Sequence, residues 1–311
     1  MSDGFKRCNS ADSEALSSAS TSGHLTDRAL DCASPGGEMI LVAHNGSTGG
    51  QLALAFFDQS HPAEKDGTVY LGVSDSLQYV PFCADFGPFN LGTTHQVVRV
   101  LRKVLASRPD AKIVFYTTRR PADVANAVFL LGAYLCIERG ATPEEAWTPF
   151  SGLDPAMLPP YRDATWAAST FDLYLCDCWA GLRRAMAAEI HSPTAFDKFE
   201  YFYYQHPCHG DMHEVWPGKF LAFRGPVDSA QCKSTDFSPD QLVEVFISKR
   251  VDTIIRLNES NYDASAFLKA GIKHHDMEFE DCQTPPDEIV DYFLRVCEEC
   301  EGLVAVHCLV S

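Results

Sequence analysis

The sequence predicts an α/β fold in two tandem domains, the second incomplete at its carboxyl end, and three observations carry that reading. Strand-like apolar runs alternate with segments of helical spacing along most of a 311-residue chain, which is long enough for two domains. The alternation breaks between His191 and Val215 and then resumes. The last apolar run, Leu303-Val-Ala-Val306, has the character of a strand buried on both faces of a parallel sheet, and its covering crossover helix is expected to be missing.

Residues 1–38 are rich in Ser, Thr, Ala and Gly without an apolar signal core, and are expected to be a disordered tail. Residues 39–190 form the first domain, 191–215 the connection, and 216–311 the second domain. In the first, Met39–Ala43 and Val69–Val73 read as strands, with Leu77–Phe82 a candidate third. His95–Ser107 carries an apolar stripe at helical spacing through Val97, Val98, Val100, Leu101 and Leu105. Lys112–Tyr116 is an apolar strand, and Pro121 stands where a helix begins. Ala122–Arg139 is a nearly all-apolar helix, buried on most sides. Thr142-Pro-Glu-Glu145 opens the next with a cap, a first-turn proline and a capping-box glutamate. Leu173–Ile190 is amphipathic and helical.

The second domain repeats the pattern. Phe220–Phe223, Thr253–Leu257, Lys273–Phe279 and Leu303–Val306 read as strands. Ser238–Lys249, Ala264–Ala270 and Pro286–Cys300 read as helices.

The net charge of −17 argues against a general affinity for nucleic acid or anionic membranes, which would repel it. Basic proteins are more natural partners. No apolar run approaches the ~20 residues that span a bilayer. Twelve scattered cysteines without a secretion signal fit a reducing compartment, cytoplasm or nucleus.

The chemistry centres on Glu301-Gly-Leu-Val-Ala-Val-His-Cys308. A strand that delivers His-Cys at its carboxyl end is how the tyrosine-phosphatase class places its nucleophile. There, backbone N–H groups and a helix amino terminus converge on a phosphate. Such dipoles depress a thiol pKa from about 8.5 toward ~3.5–7.5 and supply the attacking thiolate. An arginine six residues on would bind the phosphoryl oxygens bidentately. Only Leu309, Val310 and Ser311 follow Cys308 here, so this chain alone is expected to be inactive. A His-Cys pair taken alone also fits a buried structural thiol. His307 is not expected to act as a base toward Cys308, because strand neighbours point to opposite faces; its role is supporting.

Asp281, in Phe279-Glu-Asp-Cys-Gln-Thr-Pro285, sits in a loop between strand and helix. It suits either a general acid for a leaving oxygen or a cap ahead of Pro286. His206-Pro-Cys-His-Gly-Asp-Met-His213 has zinc-type ligands, but the spacing matches no structural-zinc pattern, so a polar linker is the preferred reading and no metal is expected. Cys297-Glu-Glu-Cys300 is a lone CxxC at a helix end, read as a partly buried face.

From Tyr70 to Cys308 the chain resembles the cell-division-cycle-fourteen family of dual-specificity phosphatases. The likeness rests on many short blocks in one order. Among them are Ala84-Asp-Phe-Gly-Pro88, Ala125-Asn-Ala-Val-Phe-Leu-Leu-Gly-Ala-Tyr134, Tyr161-Arg-Asp-Ala164, Pro217-Gly-Lys-Phe-Leu-Ala-Phe223 with Gly225-Pro226, Arg256-Leu-Asn258, His274-His-Asp276 and Ala305-Val-His-Cys308. The resemblance implies two dual-specificity-phosphatase-like α/β domains, of which only the second is catalytic. It maps the nucleophile to Cys308 and the general acid to Asp281, and it implies no cofactor. Substrates implied are phosphorylated proteins, cyclin-dependent-kinase targets around mitotic exit, with phosphoserine before proline and a basic residue downstream. Of three acids that line the family's substrate groove, two become Phe202 and Gln205, leaving Asp211; Glu200 and Glu214 stand nearby as replacements. Two functions follow: an active phosphatase of which this chain is an incomplete product, or a non-catalytic pseudophosphatase that binds phosphoproteins or other partners. Redox pairing of the nucleophile would draw on Cys282 or Cys297.

Overall fold

A computed structural model describes residues 39–45, 49–57, 67–73, 77–228, 232, 236–280 and 283–308. Residues 1–38, the expected tail, lie outside this set. The described residues divide into two units, 39–196 and 197–308, each with its own sheet and core.

In the first unit, four strands lie in the order β1 (Met39–Asn45), β2 (Gly50–Phe56), β4 (Lys112–Thr117), β3 (Thr68–Gly72). β1 runs antiparallel to β2, while β2 and β3 both run parallel to β4. The periodicity reading yields no strand over Gly50–Phe56, yet β2 is an inner strand of the sheet. Its residues Leu52 to Phe56 are all buried, and a short continuous apolar run has no period to distinguish strand from helix. Leu77–Phe82, expected as a strand, is irregular instead. Tyr79 donates its hydroxyl to Asp85 Oδ2 at 2.6 Å, and the Cys83 amide donates to Asp85 Oδ1 at 2.7 Å. These local bonds compete with a ladder.

The helix Leu91–Ser107 starts before the expected His95, because the Asn90 side chain accepts from the Thr93 amide at 2.9 Å and caps it. Its buried stripe includes Val97, Val98, Leu101 and Leu105, as the spacing predicts, whereas Val100 is only partly buried. The helix Pro121–Glu138 is buried continuously from Val124 to Cys136. Against the expectation that no apolar run approaches a membrane span, this helix is long and apolar enough to cross one by length and composition, but here it is the core helix of this unit. Trp179, on the helix Leu175–Ala187, lies against it and donates its indole N–H to the Phe129 carbonyl at 3.0 Å. Thr142 and Glu145 form the expected reciprocal capping box. A short antiparallel pair, β5 (Tyr161–Arg162) and β6 (Asp172–Leu173), precedes the Trp179 helix.

In the second unit, five strands lie in the order β10 (Lys273–Asp276), β9 (Val251–Arg256), β11 (Leu303–His307), β8 (Phe220–Phe223), β7 (Met212–Trp216). All neighbours are parallel except β7 with β8. The stretch expected as a connection contains the helix Lys198–Gln205, capped by the Asp197 side chain, and most of β7.

The expected lack of cover over the last strand is corrected. β11 is the central strand, and both its faces are packed. Leu303 and Ala305 join a cluster with Leu221, Phe223, Leu242, Phe246 and Phe267, on the side of the helices Pro239–Ser248 and Ser265–Lys269. Val304 and Val306 pack with Ile255, Val296, Cys297 and Phe293, on the side of the helix Asp287–Glu299. Elements preceding β11 in sequence supply that cover, which the order of the chain alone does not disclose.

Candidate active site

The four parallel strands of the second unit end on one edge, the usual place for a ligand in an open α/β sheet. β11 carries Cys308 to that edge directly after its last residue, His307. β9 ends beside it, and the Leu257 amide donates to the His307 carbonyl at 2.9 Å. From β8, the chain passes through Gly225. A β-carbon there would stand 2.6 Å from His307 Nδ1 and 2.8 Å from the Cys308 carbonyl oxygen, so only glycine admits this approach.

His307 is buried and both its nitrogens are engaged. Nδ1 lies 3.0 Å from the Cys308 carbonyl oxygen, and Nε2 lies 2.8 Å from the Tyr262 hydroxyl. The Tyr262 hydroxyl also meets His274 Nε2 at 2.8 Å. Burial pushes both imidazoles down to about 4, so both are neutral near pH 7. Burial likewise pushes the Tyr262 hydroxyl up, keeping its proton. Arg256, at the end of β9, is buried under this group. It donates through Nε to Asp276 Oδ1 at 2.7 Å and through a terminal nitrogen to the Tyr262 carbonyl at 2.9 Å, with its guanidinium 4.5 Å from the Tyr262 ring centre. Asn258 keeps its side-chain oxygen buried without a hydrogen-bond partner, just beyond β9.

The candidate site thus has at its centre a half-buried thiol at the carboxyl end of a central parallel strand, in a residue whose carbonyl is held by the preceding histidine. A family model described as "Dual specificity protein phosphatase, N-terminal half" matches residues 48–185. The chain is 37% identical over 262 residues to the dual specificity protein phosphatase CDC14C of Symphalangus syndactylus, covering 83% of this chain and 53% of that protein. It is 39% identical over 244 residues to CDC14A of Mus musculus, covering 77% and 40%. Against CDC14A of Homo sapiens it is 38% identical over 255 residues, covering 80% and 43%. The chain belongs to the CDC14 family. It spans about half the length of these CDC14 relatives.

Within this CDC14-family chain the other expected site residues separate. Asp281 and Cys282 lie outside the described residues. Asp211 stands immediately before β7 with φ at 44°, and burial raises its carboxyl above the usual range against the pull of Arg224 and His206. Glu200 and Glu214 are already engaged: Lys249 reaches Glu200 at 3.2 Å and Glu214 at 3.7 Å, with its ammonium 3.9 Å from the Tyr204 ring centre. An internal lysine thus occupies the acids that the sequence offers as groove replacements.

The zinc-type side chains have other work. His209 stacks on Tyr203 at 3.8 Å, His213 stacks on Tyr201 at 4.4 Å, and His206 Nδ1 accepts from the Cys208 amide at 3.1 Å. Among the described residues no group of three or more His, Cys, Asp or Glu is placed to hold a metal.

The first unit has a counterpart edge without a thiol. β4 runs into Thr117-Thr-Arg-Arg120 and then the helix at Pro121. Arg120 is committed to Asp123 at 2.8 Å, and Thr118 donates to the same carboxylate. A cavity of about 660 Å³ lies there, lined by Tyr79, Asp85, Arg120, Asp123 and Asn126 among others. Burial works against the Asp85 carboxylate, but hydrogen bonds from Tyr79, Cys83 and Phe82 hold it below the usual range.

Sequence reasoning pointed to Cys308 and His307 through the apolar strand that ends in them. Tyr262 carried no signal of spacing or composition. Gly225, Arg256 and His274 stood out only inside blocks of resemblance, with no role attached.

Proposed function

We propose that the protein carrying this chain is a dual-specificity phosphatase that removes phosphate from serine, threonine and tyrosine side chains of proteins, with Cys308 as nucleophile. The observation that supports it is the position of Cys308 at the carboxyl end of the central parallel strand, where Arg256, Gly225 and His307 converge. The names of the relatives point the same way. In this reading the Cys308 sulfur attacks phosphorus, and the P–O bond to the substrate breaks. Asp281 gives its proton to the leaving oxygen. Water then attacks the cysteinyl phosphate, Asp281 takes a proton back, the P–S bond breaks, and inorganic phosphate leaves with the thiolate restored. The substrates in this reading are cyclin-dependent-kinase targets around mitotic exit, and the twelve cysteines favour the cytoplasm or nucleus.

Residues 1–311 bring three residues beyond the sulfur. Losing one preorganised oxyanion donor typically costs about 10²–10³ in rate, so the 311-residue polypeptide tested alone is expected to be inert. The deciding experiment measures hydrolysis of an aryl phosphate by that polypeptide and by the same chain continued through a relative's anion-binding loop, arginine and helix. Activity is expected in the continued form alone, and Cys308→Ser should abolish it. A folded continued form without activity, or one that keeps its rate as Cys308→Ser, overturns the reading. Phosphopeptide binding without turnover in that form would instead establish the non-catalytic alternative.

A further inference from the structure

We propose that His274 is a positioning residue for the Cys308 centre: acting through the Tyr262 hydroxyl, it holds His307 as the Nδ1–H tautomer that fastens the Cys308 carbonyl. Proton order along the relay fixes the tautomer. A carbonyl oxygen only accepts, so at 3.0 Å His307 Nδ1 must carry a proton toward Cys308. A neutral imidazole then has a lone pair on Nε2, and the Tyr262 hydroxyl, 2.8 Å away, must donate to it. Tyr262 has spent its only proton, so His274 Nε2, also at 2.8 Å, must donate to the phenolic oxygen. The order runs one way, from His274 through Tyr262 and His307 to the Cys308 carbonyl.

The reverse order places a lone pair of His307 against the carbonyl lone pairs and needs His274 protonated on Nδ1. Asp276 is the group that would favour this, since its Oδ1 lies 3.8 Å from His274 Nδ1. That distance is too long for a hydrogen bond. The same oxygen is already held by Arg256 Nε at 2.7 Å. Arg256 therefore withholds Asp276 from His274 and leaves the forward order as the satisfied one. The remaining titratable neighbour, His275, turns its Nδ1 to the Tyr292 hydroxyl at 2.8 Å. Burial of the relay makes any unpaired member costly, which keeps the order strict.

What this secures is the peptide plane leaving Cys308, pinned toward His307 and Gly225. An anion site built on backbone amides depends on such planes being set in advance. The purpose of the relay rests on the phosphatase reading; its existence does not, so the test reads the imidazoles directly. Long-range ¹⁵N–¹H correlation spectra of the histidine-labelled chain at pH 7 should show His307 protonated on Nδ1 alone and His274 on Nε2 alone. In His274→Phe the single-tautomer pattern of His307 should be lost, and His274→Gln, which keeps an N–H donor, should restore it. In the continued phosphatase, His274→Phe should lower kcat about tenfold with KM unchanged. Finding His307 protonated on Nε2 in the unaltered chain overturns the proposal. So does an unchanged His307 pattern in folded His274→Phe. Should His274→Phe fail to fold, the unaltered spectrum and His274→Gln still decide.

Discussion

Gly225 and His307 approach so closely that a β-carbon on the glycine would stand 2.6 Å from the imidazole Nδ1. The two residues lie on different elements, one just beyond β8 and the other at the end of β11, and parallel pairing of those strands brings them together. Gly225→Ala must push the imidazole or the Cys308 carbonyl aside. We expect a loss of about 1–3 kcal/mol in the second unit, the usual range for overpacking, and a changed rate of Cys308 alkylation by iodoacetamide. Urea unfolding and mass spectrometry of the alkylated thiol would check both. An unchanged midpoint and unchanged alkylation would show that the backbone yields freely there.

The first unit offers a parallel case. A β-carbon on Gly132 would lie 2.0 Å from the Trp179 ring. Trp179 is fully buried and anchored to the Phe129 carbonyl, so it has no free direction in which to move. Gly132→Ala should destabilise this unit by at least about 1–3 kcal/mol. Tryptophan fluorescence during urea unfolding would register an earlier transition. A variant as stable as the parent would mean that the helix shifts as a body.

Buried histidines shape the acid response, and His191 is among those that burial pushes down. Burial pushes His95, His274 and His307 down to about 4 from an ordinary value near 6.5. For a histidine whose folded pKa is lowered, the unfolded chain binds the proton first. Stability is therefore complete above about pH 6.5 and falls as pH drops toward 4, by up to roughly 3 kcal/mol per group. Urea midpoints at pH 7, 5.5 and 4.5 should decline in that order. His95 packs against the Phe196 ring with centroids 4.6 Å apart and the planes tilted by 30°, and neither imidazole nitrogen has a hydrogen-bond partner. His95→Phe should raise the stability of the first unit by about 1 kcal/mol at pH 7 and flatten its acid decline. A steeper decline would contradict this.

Arg256 joins three groups that no neutral side chain replaces. Arg256→Met leaves the Tyr262 carbonyl without this donor and releases Asp276. Because Asp276 is largely exposed and can return to water, the expected cost is about 1–3 kcal/mol, below that of a wholly buried pair. Arg256→Lys should recover only part, since one ammonium cannot span both acceptors. Thermal unfolding of the two variants would rank them, and equal stability of Lys and Arg would refute the two-acceptor account.

Some of this was legible in the residues. The capping box at Thr142 and Glu145 and the stripe on Leu91–Ser107 came out as the spacing predicts, because both signals are local. The strand ending in His-Cys was equally plain. β2 was not, since an apolar run without alternation carries no period. Leu77–Phe82 misled, because the bonds that Asp85 makes to Tyr79 and Cys83 outweigh strand propensity there. The bare last strand misled for a different reason: its covers precede it in the chain.

From its residues alone, this protein's two-domain α/β character, its candidate nucleophile and the apolar strand that carries it are all apparent. Those are matters of period, cap chemistry and residue type within a few positions. Tertiary structure alone decides that β11 is central, that Gly225 abuts His307, that Lys249 fills the space between Glu200 and Glu214, and that Tyr262 joins His274 to His307. Tyr262 and His307 are 45 positions apart. Contacts at that separation arise from strand order and core packing, which local spacing does not encode.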